Sequence, residues 1–502
     1  MKNTKSLVAK VLALALLLRL CGSKSAAQSM QIDSTWNYTL LPSSDLVDSC
    51  LVCGRPDILM PLQGTFQLRL VETNPLFSIY AWDSLSWTAG PAGNPAYKIL
   101  GRGTYQIGGE VALAQNLALE VFIDNGFTNK LCYFTNTVPT VTRLWPVLQI
   151  SLNQTNGSDV QQFQLDINAA PLQELWFSTK KDFHAGIWQS PTNLVSAGDL
   201  VSSAGRIVKR NEDLSRYLGI QPVVPDLGLK DVDVLPGGEI AFSVESTMWS
   251  ESLGTWLQQG DLLSDRGRVL RSNQDLISAF GPMPPVPDMG LDAVQVLDSG
   301  EIYFSVQTNF FSERLGRTIR RGDLMSSTGR IVKSNEELVA QFHPAFPNQD
   351  FGLAALYLWP SGEIWFSTQE GFDGSHFDHY APGDLLSDQG YLVYSNTNLL
   401  SAFHPVESVA DFGLDALFIV SDVIPPSPAA AKTVLDPPLV TNQPSGTLVF
   451  QWAKGGRVFQ LEKAGNVAGP YSPISSITTD ASFIDYFTLT NQAQAFYRLR
   501  QW

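Results

Sequence analysis

The densest groups able to do chemistry fall in two stretches of the chain. One holds Asp182 and His184, the other Asp373, His376, Asp378 and His379, so three of the five histidines sit beside carboxylates. Imidazole and carboxylate together are the donors of a divalent-metal site. His184, His376, His379, Asp373 and Asp378 are therefore the candidate metal ligands, the alternative being polar loops in water. Trp188, Trp249, Trp256, Phe377 and Tyr380, in the same and equivalent stretches, form a candidate ligand-binding set. A ring flanked by acids and amides suits a sugar, which offers an apolar face and many hydroxyls, although packing over strand ends explains such rings equally well. Arg314, Arg317, Arg320 and Arg321 cluster in an otherwise acidic chain and offer either an anion site or a solvated face. There is no Gly-x-Ser-x-Gly elbow, phosphate loop, dinucleotide fingerprint or zincin helix. A divalent metal is the one cofactor the residues suggest.

These stretches are positioned by a repeat. Glu174-Leu-Trp-Phe-Ser178 returns as Glu239–Ser243, Glu301–Ser305 and Glu363–Ser367, and each copy is followed by a Gly-Asp turn at Asp199, Asp261, Asp323 and Asp384. A third marker, Asp-x-Gly, starts at Asp226, Asp288, Asp350 and Asp411. Successive Gly-Asp turns lie 62, 62 and 61 residues apart, a period that means one supersecondary unit stacked on itself. The repeated Asp of the turn reads as a calcium ligand or, more simply, as a partner for turn amides. Each copy reads as two hairpins and a short helix, illustrated by Asp231–Leu235, Glu239–Val244, Asp261–Ser264, Arg268–Arg271 and a helix from Asn273. The strand at 239–244 is apolar on both faces, which requires cover on both, as sheets standing around an axis provide. The first hairpin strand occurs a fifth time, at Asp166–Ala170, and Gly413–Val420 is left over at the end, as ring closure by strand exchange would need. The alternatives are a fifth blade and an open solenoid.

The expected fold is all-β. A signal peptide over 1–27 precedes a β-sandwich over 31–165, a propeller-like region of four or five blades over 166–420, a Pro-rich linker over 421–440 and a small sandwich over 441–502. Lys2, Lys5 and Lys10 ahead of the apolar run Val11–Leu18, with small residues at Ser25-Ala26-Ala27, predict export and a mature chain from about Gln28. A lipoprotein reading through Cys21 is weakened by Leu20. No later segment is apolar for the roughly 18 residues of a membrane span. The formal charge of −15 argues against nucleic acid and anionic membrane as partners. Cys50 and Cys53 form a redox pair, half a zinc site or, in an oxidising compartment, a structural disulfide that leaves Cys132 over.

The Gly-Glu-Ile-x-Phe-Ser, Gly-Asp-Leu-Leu-Ser and Gly-Leu-Asp-Ala elements resemble a family of uncharacterised secreted bacterial repeat proteins. The closing Phe496-Tyr-Arg-Leu-Arg500 strand and Trp452 resemble a fibronectin type III or immunoglobulin-like module. The resemblance transfers no activity. Two functions are expected: a secreted or surface non-enzymatic binding or scaffold protein, with polysaccharide or another surface protein as partner, or a secreted polysaccharide hydrolase or lyase with its site in the loops of copies one and four. The absence of a catalytic signature favours the first.

Overall fold

A computed structural model describes residues 35–91, 95–110, 112–143, 145–186, 191–222, 226–285, 288–374, 378–422, 447–452, 455–486 and 494–502. The expected signal peptide and residues 423–440 of the linker lie outside the described residues. With strand at 49% and helix at 8%, the chain is mostly β.

The N-terminal part is one nine-stranded antiparallel sheet. From Ile58–Thr73 the strands Phe77–Ala89, Tyr97–Gly108, Ala114–Asp124, Asn129–Asn136, Leu148–Gln154 and Gln162–Ala170 each pair with the one before. The opening strands Thr35–Leu40 and Asp45–Ser49 lie between the first and last of that series and pair with both. The sheet thus closes on itself, where two facing sheets of a sandwich were expected. Alternating apolar residues bury one face in either architecture; only the long-range pairing separates them. Inside, Tyr38, Phe66, Trp82, Trp87, Tyr105 and Phe134 are buried, with Phe66 stacked on Trp82 at 3.9 Å.

Beyond it stand four four-stranded antiparallel sheets, consistent with propeller blades. Their inner strands are Asp231–Leu235, Val294–Val296, Leu353–Leu358 and Leu417–Ser421, and each inner strand touches its neighbours, the last touching the first. Leu417–Ser421 takes the inner place in the first sheet, pairing with Leu172–Phe177 so that Trp176 faces Phe418. The segment 166–170, aligned by sequence with the inner strands, belongs to the N-terminal closed sheet instead, and the strand Gln162–Ala170 runs through the expected domain boundary at 165.

The repeated residues explain why the sheets form. The Glu of each Glu-x-x-Phe-Ser binds the third and fourth strands of its own sheet. Glu174 accepts from Ser202 Oγ at 2.7 Å and Arg206 at 2.6 Å, and Glu363 from Ser387 Oγ and the Tyr391 hydroxyl, both at 2.6 Å. The Ser reaches out of its sheet. Ser178, Ser243, Ser305 and Ser367 donate to the carbonyls of Leu229, Leu291, Leu353 and Leu414, each at the start of the next inner strand. The residue between, Trp176, Ala241, Tyr303 or Trp365, packs into one of four buried cores, each shared by two successive sheets.

Asp199, Asp261, Asp323 and Asp384 are turn carboxylates. Each accepts the backbone N–H three residues before it and that of the first helical Asn, as Asp261 does from Gln258 at 2.8 Å and Asn273 at 2.8 Å. The helix at Asn273–Ser278 is capped by Ser272, and the Asn273 side chain is committed to Gly260 and Met289.

At the C-terminus, strands Leu448–Gln451 and Ser482–Asp485 pair, and Phe459–Ala464 pairs with Phe496–Gln501 and Ser472–Pro473. Leu448, Phe450, Trp452, Phe459 and Leu461 form a core of their own, while Val458, Ile477 and Trp502 join the core between the first and second sheets. At Gly238, with φ at +69°, a Cβ would stand 2.4 Å from the Thr479 carbonyl oxygen, so the module is seated hard on that turn.

All three parts meet at Asp422. Its Oδ2 accepts from Asn37 N–H at 2.8 Å and Gln173 at 3.0 Å, and its Oδ1 from Arg500 at 2.6 Å and Trp502 Nε1 at 2.8 Å. Asp422→Ala leaves these donors buried without an acceptor and is expected to cost roughly 3 kcal/mol. Limited proteolysis checks this, with the C-terminal module of the variant released at a protease level that leaves the native chain whole.

Candidate functional site

The histidine and carboxylate candidates form two separate pairs. His184 Nδ1 lies 2.7 Å from Glu407 Oε1, and its backbone N–H donates to Glu407 Oε2 at 2.9 Å, so copy one does meet the segment that follows copy four. His379 Nδ1 lies 2.8 Å from Asp373 Oδ1 on an exposed hairpin, and Asp378 is exposed beside it. His376 lies outside the described residues. Among the described residues no three His, Cys, Asp or Glu side chains converge as metal ligands.

Of the aromatic set, Trp188 and Phe377 lie outside the described residues. Tyr380 is half-buried and packs edge-on against Phe342 at 4.8 Å, which makes it a wall of the hairpin. Trp249 and Trp256 are different. They face each other across the hairpin Met248–Ser250 and Thr255–Leu257 with ring centroids 5.7 Å apart, and Trp256 is 58% exposed. The arginines do not form an anion site. Arg320 binds Glu336 at 2.8 Å, Arg321 binds Glu370 and Gln369, Arg317 lies 3.6 Å from Asp323, and Arg314 donates to the Ala279 carbonyl. Cys50 and Cys53 are joined as a disulfide, and Cys132 is free and buried.

The inner strands bring together residues that the sequence did not single out. Lys230, Asp292, Ala354 and Asp415 hold the same place in the four copies, just after the Asp-x-Gly-Leu marker. Lys230 Nζ lies 3.4 Å from Asp415, 3.8 Å from Asp292 and 3.9 Å from Glu245, and Lys180 Nζ lies 3.4 Å from Asp415. Next to them Asp231, also buried, lies 3.1 Å from Ser243 Oγ. Two ammonium groups thus serve the two buried carboxylates of Asp292 and Asp415, while Asp231 is held by the Ser243 hydroxyl.

Three residues further along each strand stand Asp233, Gln295, Tyr357 and Phe418. With Trp359 and Arg457 of the C-terminal module they line a cavity of about 420 Å³. Arg457 lies 3.3 Å from Asp233, 3.0 Å from Asp298 and 2.6 Å from the Val234 carbonyl. The available signal was the repeat itself: both positions change type between copies where the flanking residues, Asp231 apart, stay apolar.

No protein-family model matches the chain, and no curated protein does. Two solved structures are similar, both of the extracellular domain of a B. thetaiotaomicron protein described in one as a proposed one-component system and in the other as a proposed hybrid two-component system. Each is 8% identical over 90% of this chain and 95% of the other, with a TM-score of 0.20. At that score the likeness carries no argument about fold or function.

The buried acids give the ring a pH dependence. Burial, reinforced by the neighbouring Asp415 charge and opposed by Lys230, pushes Asp292 up to about 7, and burial likewise raises Asp231 and Asp415. In the unfolded chain these groups titrate near about 3.9. Between those values the folded chain holds protons that the unfolded chain releases, so stability falls as pH rises through that window. Calorimetry is expected to give a higher Tm at pH 5 than at pH 8, on a scale of about 1 °C per kcal/mol for a cooperative unit of this size, and Asp292→Asn is expected to flatten the difference.

Proposed function

We propose that the chain is an exported, non-enzymatic binding protein, a closed four-bladed propeller with its N-terminal sheet and C-terminal module fixed to it, which holds polysaccharide through aromatic hairpins on its outer surface. The Trp249–Trp256 pair carries this reading. Exposing a large indole to water costs burial that the core would otherwise supply, and an edge-on pair offers a rigid apolar face bordered by polar hairpin backbone. Sugar rings match such a face. The same position in copy three carries Phe311, 44% exposed, so the outer hairpins differ in the ring they present while the sheets beneath keep theirs.

The compartment reading is supported by the Cys50–Cys53 disulfide and by the leader-like segment at the start of the sequence. The acidic balance favours a neutral partner. Among the described residues no helix is long and apolar enough to cross a membrane.

Retention on insoluble cellulose, chitin and xylan, followed by affinity electrophoresis in soluble glucans, tests this. Trp256→Ala is expected to weaken retention about tenfold, ~1.4 kcal/mol, with Tm unchanged. Equal retention of variant and native chain, or no retention of the native chain on any of these polymers, contradicts it.

A further inference from the structure

The cavity between the ends of the inner strands and Arg457 is built from every part of the ring. Asp233 comes from copy two, Gln295 from copy three, Tyr357 and Trp359 from copy four, and Phe418 from the closing strand. Its volume of about 420 Å³ falls among small-molecule sites, which run to roughly 300–1,000 Å³. We propose that this cavity is a binding site for a small, neutral, ring-containing molecule that carries a hydrogen-bond acceptor.

The walls set the apolar part of the ligand. Tyr357 and Trp359 meet edge-on at 5.1 Å, and Phe418, Leu297 and Pro360 complete a largely apolar lining. The charges set its neutrality. Arg457 is already matched by Asp233 and Asp298, and the other oxygen of Asp233 accepts Val296 N–H at 2.7 Å. A charged ligand would be stripped of water with no counter-ion left for it.

The unused donors set its polar group. The Gln295 side-chain oxygen accepts Leu358 N–H at 2.7 Å, which turns its NH₂ into the free end. Burial, with the Asp233 charge adding to it and Arg457 opposing, raises the Tyr357 pKa, so the hydroxyl keeps its proton. Among the described residues neither the Tyr357 hydroxyl nor the Gln295 NH₂ donates to a protein group. Donors in an apolar box call for a carbonyl or ether oxygen on one or two rings. A sugar brings more hydroxyls than these groups satisfy, and each one left over would be desolvated without return. The site is therefore separate in place and in chemistry from the outer tryptophans.

Saturation-transfer NMR and isothermal titration on the full chain, with coumarin and acetophenone as probes and cellobiose as competitor, test the proposal. Saturable coumarin binding is expected, weakened about tenfold by Tyr357→Phe, abolished by Leu297→Trp, and untouched by cellobiose or by Trp256→Ala. If Leu297→Trp does not fold, Tyr357→Phe, which removes one oxygen, still decides. No saturable binding of either probe by the folded native chain overturns the site. So does binding that both cavity variants leave unchanged, or that cellobiose displaces. Because Trp256→Ala acts on the outer hairpin alone, failure here and failure of the polysaccharide reading are read separately.

Discussion

Everything in the ring depends on one small contact, the hydroxyl of the Ser that ends each Phe-Ser strand. It leaves its own sheet and donates to the carbonyl at the start of the next inner strand, four times, at 2.7, 3.3, 2.7 and 2.6 Å. The last of these runs from Ser367 to Leu414, ahead of the strand that completes the first sheet, and Ser178 Oγ in turn accepts Ala416 N–H at 3.1 Å. A single such bond is worth about 1 kcal/mol. Its effect is larger than that figure because it sets the angle at which two apolar faces meet, and each meeting buries a core.

Fixing the sheets around an axis has a cost that the sequence displays. Inner strands packed side by side have little access to water, yet they carry Lys230, Asp231, Asp233, Asp292 and Asp415. At the start of the strands the charges neutralise one another through Lys230 and Lys180. At the end of the strands Asp233 is met from outside the ring by Arg457, so the C-terminal module is part of the axis and not a spacer hung from it. Asp422, just after the closing strand, joins both flanking parts to the ring. The result is one continuous structure whose cavity is lined by the ring and, through Arg457, by the module.

Much of this was legible in the sequence. The period near 62 residues, the Glu-x-x-Phe-Ser strand with two apolar faces, and the left-over strand after the fourth copy led to stacked sheets and strand-exchange closure, since each follows from local alternation. The closed N-terminal sheet was not legible. Ile58–Thr73 pairs with Phe77–Ala89 on one edge and with Thr35–Leu40 and Asp45–Ser49 on the other, and alternation along one strand says nothing about what lies at its second edge. The segment 166–170 was misplaced for the same reason: its pattern fits either sheet, and its partners Leu148–Gln154 and Asp45–Ser49 decide. Site residues followed the same divide. Histidines and tryptophans stand out by type, whereas Gln295, Tyr357 and Phe418 look like ordinary strand residues until four copies are laid around an axis.

Closure by the strand Leu417–Ser421 is the central claim, and hydrogen–deuterium exchange of the native chain read by mass spectrometry tests it most directly. In a closed ring the amides of 417–421 exchange as slowly as those of the inner strand 231–235, and Ser367→Ala speeds exchange in 417–421 and 172–177 together. Fast exchange at 417–421 in the native chain, with 231–235 protected, contradicts closure and with it the cavity built on Phe418.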